Sequence, residues 1–220
     1  MDSLLFTLIK DKNWDEALIH IQSFIKENKN NIQQILKERH EANLNSFELA
    51  VCLKAPQELL EEMIQIDKSL PTSHDPFGLT ALHIGCLNGA TLNAVKLILQ
   101  DHPHLASQLD DDNKSPLHHA VEHACTSASG DGDFYIDVLQ ALCLAAPDMV
   151  HIRDKSGVTP IDFVQDCKAE ADVDSILFQK LDIVYKVLSV TSIYLYRTNK
   201  QRWERQNVTL QKVLQILQEK

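Results

Sequence analysis

Three segments of the 220-residue chain line up with one another: DPFGLTALHIGC from Asp75, DDDNKSPLHHAV from Asp110 and DKSGVTPIDFVQ from Asp154. An internal repeat constrains a fold more than any other sequence feature. Each copy must form the same unit of structure and bury its apolar face against the next copy. The shared letters run Asp, two variable residues, Gly or Asn, one variable residue, Thr or Ser, Ala or Pro, Leu or Ile. The Thr/Ser positions Thr80, Ser115 and Thr159 are spaced by 35 and 44 residues. A step of 35 back from Thr80 reaches Asn45 in HEANLNSFELAV, a weaker copy in which Asn43 takes the Gly place and Phe47 the Leu place.

Each shared letter has a physical task. Gly or Asn tolerates the left-handed backbone of a tight turn. Thr, Ser or Asn caps the helix that follows, and Pro suits its first position. Leu82, Leu117 and Ile161 are then the first core-facing residues, and small Gly85, Cys86 and Ala120 allow neighbouring helices to approach closely. A second apolar run follows, LNAVKLILQ in one copy and YIDVLQALC in the next, before the punctuation His102-Pro103 or Ala146-Pro147. The unit is therefore helix, turn, helix, loop. The long 44 spacing has a source in Thr126 to Asp133, TSASGDGD, whose small polar composition predicts an inserted surface loop.

The pattern resembles the ankyrin repeat, D-x-x-G-x-T-P-L-H-x-A, most closely at Asp75 and Asp110, well at Asp154 and weakly at His40. The resemblance implies an all-α solenoid of stacked helix-turn-helix units with a helical N-terminal cap and a helical C-terminal extension. The expected organisation is a degenerate capping helix pair over 1–39, then repeats over 40–173 (40–74, 75–109, 110–153 with the insertion 126–133, and 154–173 starting the last). A helical cap over 174–220 follows, with a basic segment at 197–205. Glu48 and Asp162 stand where the family has His, so His-mediated bonding between repeats is expected only at His83 and His118.

Composition narrows the class. With 44% hydrophobic residues but only 6 Gly and 7 Pro, the chain suits helices better than a loop-rich β design. Cys52, Cys86, Cys125, Cys143 and Cys167 are scattered singly, which suits reduced thiols in a cytoplasmic setting, the nucleus left open. The first residues lack the basic start and long apolar run of a secretory leader, and Ile183–Tyr196 is short for a membrane span. The net charge of −10 argues against nucleic acid as a partner of the whole chain. Residues 173–220 hold eight Lys/Arg and four Asp/Glu, so an acidic body carries a mildly basic tail.

One stretch suggests chemistry. His119, Glu122 and His123 spell H-x-x-E-H, the inverted zinc-protease motif of a hydrolase. In the repeat register, however, His119 falls on the packing position of Ile84 and Phe163, while Glu122 and His123 fall on variable places. A third protein ligand is also missing. His118 is expected to bridge to neighbouring backbone, and His102 and His104 to be solvated loop residues. The run Asp110 to Asp112 lacks the rest of a calcium loop. There is no phosphate-binding loop or nucleophile elbow, so no cofactor, metal or small-molecule substrate is expected, and no catalysis.

Non-catalytic binding of another protein, as an adaptor or scaffold, is the expected function. The concave recognition face that the resemblance implies takes Pro76, Phe77, Leu79, Asp111, Asp112, Lys114, Lys155, Ser156 and Val158 from the turns. From the first-helix ends it takes Leu87, Asn88, Glu122 and His123. Apolar Phe77, Leu79 and Leu87 suit an anchor, and the acids favour a basic partner segment. In the tail, apolar positions from Ile176 to Leu195 predict a long buried helix, and Val208 to Leu217 a separate last one. Between them Arg197, Lys200, Arg202, Trp203 and Arg205 form a secondary basic site, whose alternative use is contact with anionic lipid or nucleic acid.

Overall fold

The computed structural model describes residues 4–26, 32–40, 43–126 and 132–218, with side chains for all of these except 132–134, 200 and 202–218. Eleven helices follow in order: α1 (Leu4–Lys10), α2 (Trp14–Lys26), α3 (Ile32–Lys37), α4 (Ser46–Cys52), α5 (Gln57–Ile66), α6 (Ala81–Leu87), α7 (Leu92–Asp101), α8 (Pro116–Thr126), α9 (Gly132–Ala145), α10 (Pro160–Glu170) and α11 (Ile176–Gln218). Short 3-10 turns begin at Leu70, Pro103 and Pro147. The inner helices α4, α6, α8 and α10 pack in sequence, as do the outer helices α5, α7, α9 and α11. At the start, α1 packs on α4 and α2 on α5, and α3 lies against both α4 and α5. Among the described residues the N-terminal region holds α1, α2 and α3, where a helix pair was expected.

The local reasons are those of the repeat letters. Asn43, Gly78, Asn113 and Gly157, which share one register position, all have positive φ between 58 and 85°. Asn45, Thr80 and Thr159 cap α4, α6 and α10 through capping boxes. Phe47, Leu82 and Leu117 follow as fully buried core residues, and half-buried Ile161 packs against the same core. Gly85 allows α4 and α6 their close approach: a Cβ there would lie 2.8 Å from Val51 Cγ1.

Buried histidines tie each repeat to the next. His83 Nδ1 accepts from the Thr80 backbone N–H, and its Nε2 donates to Gln108 O at 3.1 Å. His118 does the same between Ser115 and Ile152 O. Burial, with His119 nearby, pulls the His83 pKa down to about 4, so the ring is neutral at neutral pH.

The bond between repeats does not stop at the two histidines. Glu48, fully buried, accepts from Asn45 N–H at 3.0 Å and from the Ser73 hydroxyl at 3.2 Å, 25 residues further on. Arg39 grips the same carboxylate with two N–H groups at 2.8 and 3.0 Å and donates to His74 O at 2.7 Å. A carboxylate and a guanidinium thus span the gap that one imidazole spans elsewhere. The other acid in the His place, Asp162, also has an arginine nine residues before it, Arg153, at 3.5 Å.

The C-terminal region departs from expectation in one respect. Ile176 to Gln218 is one unbroken helix, not two helices separated by a basic linker. No Gly or Pro occurs after Pro160, and a run of Arg, Lys, Gln and Glu is helix-compatible.

Candidate binding face

The turns that precede α6, α8 and α10 are built alike. Asp75 Oδ1 accepts from the N–H groups of Phe77 and Leu79, Asp110 Oδ1 from Asp112 and Lys114, and Asp154 Oδ1 from Ser156 and Val158, all at 2.9 Å. These carboxylates hold the turns closed in the manner of an Asx turn. Adjacent turns are also joined, Asp111 N–H to Phe77 O at 3.0 Å and Lys155 N–H to Asp112 O at 2.9 Å. The variable residues therefore stand in register along one edge of the stack.

Along that edge the character changes. Phe77 is 61% exposed and Leu87 42%, with Leu79 half-buried between their elements, and exposed Asn88 donates to Ile84 O. The next two turns are charged. Lys114 Nζ lies 2.5 Å from Glu122 Oε1, and Lys155 Nζ 3.9 Å from Asp112 Oδ1. Exposed Asp111 has no cationic partner within 4 Å among the described residues. Ser156 is exposed and donates to Asp154, and Val158 is half-buried. Two of the three acids expected to attract a basic partner are therefore already paired within the chain.

The H-x-x-E-H stretch is divided among separate tasks. Buried His119 meets Asp110 Oδ2 with Nε2 at 2.7 Å, and its ring stands edge-on to His83 with centroids 5.8 Å apart. Burial alone would raise the Asp110 carboxyl, but hydrogen bonds from His119 and from the Lys114 N–H bring it below its ordinary value. The other ring nitrogen, His119 Nδ1, is buried without a hydrogen-bond partner and lies 3.9 Å from Glu122 Oε2. His123 points elsewhere: Nδ1 donates to Leu87 O at 2.9 Å and the ring stacks on Tyr135 at 4.6 Å. The two imidazoles do not converge. Among the described residues no group of three or more His, Cys, Asp or Glu is arranged to hold a metal.

The ankyrin resemblance puts His123, the counterpart of Asn88, among the variable residues of the recognition face. The helix bearing His123 instead runs on to Thr126, so His123 lies inside α8 and faces the α6–α7 turn. The turn accepts it because Gly89 has no side chain; a Cβ there would sit 2.7 Å from His123 Nε2. Tyr135 completes the joint by donating to Cys86 O at 2.8 Å. Tyr135 and Arg39 carry roles that the sequence analysis did not assign. For Arg39 a signal existed, since an arginine stands nine residues before each acid in the His place.

Thr126 ends α8, and residues 132 and 133 already belong to α9; 127–131 of the expected insertion lie outside the described residues. In the secondary basic site Arg197 is exposed on α11. The side chains of Lys200, Arg202, Trp203 and Arg205 lie outside the described residues. Among the described residues no helix is long and apolar enough to cross a membrane.

Stacked helix pairs with turns joined edge to edge, tied by buried side chains between units, define a repeat solenoid whose surface is set by its variable turn residues. A family model described as ankyrin repeats (3 copies) matches residues 47–151, and that part of the chain is an array of ankyrin repeats. No curated protein matches the chain significantly. Ankyrin repeats are in general protein–protein interaction modules, typically without enzymatic activity.

Proposed function

We propose that this protein is a non-catalytic adaptor that binds a protein partner along the joined turns and the adjacent ends of the inner helices. The observation that carries it is the exposure of Phe77 and Leu87 on a face whose polar neighbours are already bonded to one another. Neither side chain serves the core, and large apolar groups rimmed by charge are typical anchors. Apolar contact at the first turn sets affinity, and Asp111 and Asp112 add attraction for a basic flank. Pairing within the chain weakens that attraction, so binding depends only modestly on salt.

Affinity capture from cell extract tests this, comparing wild type with Phe77→Asp/Leu87→Asp and with Asp111→Lys/Asp112→Lys. The apolar pair is expected to lose specific partners at an unchanged melting temperature, with a smaller loss for the charge pair. An unchanged partner set in the Phe77→Asp/Leu87→Asp variant would refute the proposal.

A further inference from the structure

One face of α11 is apolar and exposed among the described residues. Outer helices α5 and α7 are covered by α7 and α9, and α9 by α11; among the described residues α11 packs on α8, α9, α10 and the 3-10 turn at Pro147. An outer helix face that meets water is ordinarily polar. On α11 the buried stripe is Leu181, Val184 and Leu188. A second stripe faces away from it: Ile176, Ile183, Val190 and Tyr194 are between 42 and 72% exposed. Half-buried Lys180 and Val187 fall between them, so positions 176, 180, 183, 187, 190 and 194 alternate in steps of four and three. That is the spacing of a helix-pairing seam. The helix has two apolar stripes; the stack buries one and touches the second only at its edge, through Val187.

We propose that this seam pairs with the same seam of a second copy, the two α11 helices running antiparallel in a two-fold dimer. Self-complementarity selects a second copy. About a midpoint at Tyr185, Ile176 meets Tyr194 of the second copy, Ile183 meets Val187, and the aliphatic stem of Lys180 meets Val190. An isologous interface requires this reciprocal matching. Charge agrees with it. Asp172 and Asp174 are exposed at the start of the seam and Arg197 at its end, and the antiparallel arrangement brings Arg197 beside Asp174 of the second copy at both ends. The two Lys180 ammonium groups are about 15 Å apart along the axis, beyond a Debye length of ~8 Å in physiological salt, so they do not oppose pairing. The seam from Ile176 to Arg197 is about 33 Å long. One helix pair of that length is smaller than a standard interface of ~800 Å² per partner, so the dimer is concentration-dependent, in the micromolar range.

Sedimentation equilibrium of the full chain, from low to high micromolar concentration, tests this. The mass is expected to rise from 24.9 kDa towards twice that value. Ile183→Glu and Val190→Glu, at exposed positions that leave the helical circular dichroism unchanged, should each give a monomer throughout. Asp174→Arg and Arg197→Glu should each weaken the dimer, and the double exchange should restore it, because only reciprocal pairing reunites the swapped charges. A wild-type chain that stays monomeric at the highest concentration overturns the proposal, whatever else covers the seam. So does a dimer that survives Ile183→Glu, or a double exchange no tighter than the single ones.

Discussion

The Arg39–Glu48 pair offers the sharpest test of how these repeats are joined. Replacing Arg39 by Ala leaves Glu48, fully buried, with only the Asn45 N–H and the Ser73 hydroxyl as donors. Breaking a buried pair from one side typically costs 3–5 kcal/mol because a charge is stranded. The Arg39 side chain is 27% exposed and two donors remain, so the lower end applies, about 3 kcal/mol. For a chain of this size that corresponds to a fall in melting temperature of roughly 6–12 °C, measured by calorimetry. A second substitution isolates the cause. Glu48→His in the Arg39→Ala background installs the imidazole found at His83 and His118, with Asn45 N–H as donor and Ser73 O in the place of Gln108 O. It removes the stranded charge and should recover at least half of the loss. Arg153→Ala is the control: its pair with Asp162 has the same nine-residue spacing, but the side chains are 66 and 45% exposed, so removal should cost under ~1 kcal/mol. A melting temperature of Arg39→Ala indistinguishable from wild type, or no recovery with Glu48→His, would refute the reasoning.

Two further outcomes follow from the same geometry. His83 has a pKa of about 4 against an ordinary 6.5, so the unfolded chain binds its proton first. The stability this neutral ring supplies is complete above pH 6.5 and is lost as pH falls towards 4, by roughly 2 kcal/mol between pH 7 and 4.5. His118, also lowered chiefly by burial, acts in the same direction. Urea unfolding across that range should show the slope, and His83→Gln should flatten it; equal slopes in the two proteins would be inconsistent with a buried neutral ring. The turns supply the other test. Gly78 and Gly157 share a register position and positive φ, but a Cβ at Gly78 would meet the Asp111 N at 3.1 Å whereas one at Gly157 meets nothing within 4 Å. Gly157→Ala should cost only the left-handed strain, about 1–2 kcal/mol, and Gly78→Ala measurably more in the same assay. Equal costs would show that crowding at the joined turns contributes nothing.

What could be read from the chain alone was whatever acts within one turn of backbone. The left-handed places at Asn43 and Asn113, the caps at Asn45, Thr80 and Thr159, and the core positions Phe47, Leu82 and Leu117 all follow from letters no more than a few residues apart. The repeat then implied the stack, because identical units with one apolar face have few other ways to bury it. The bridging role of His83 and His118 was legible only through the ankyrin resemblance, which implies a histidine bonded to the neighbouring unit.

Long-range contacts were not legible in that way. His123 turned inward because Tyr135 and the bare backbone of Gly89 receive it, and neither is near it in the chain. Arg39 matters because its guanidinium reaches both the Glu48 carboxylate and His74 O, 35 residues away. The candidate binding face shows the same limit: composition displays its acids, but it is the fold that brings Lys114 and Lys155 against two of them. The repeat, its turns and the helical stack are written in the letters alone, since local backbone preference and periodic burial suffice for those. Tertiary structure decided which variable side chains remain free and which apolar stripe of α11 the stack leaves uncovered, because each depends on atoms supplied by other repeats.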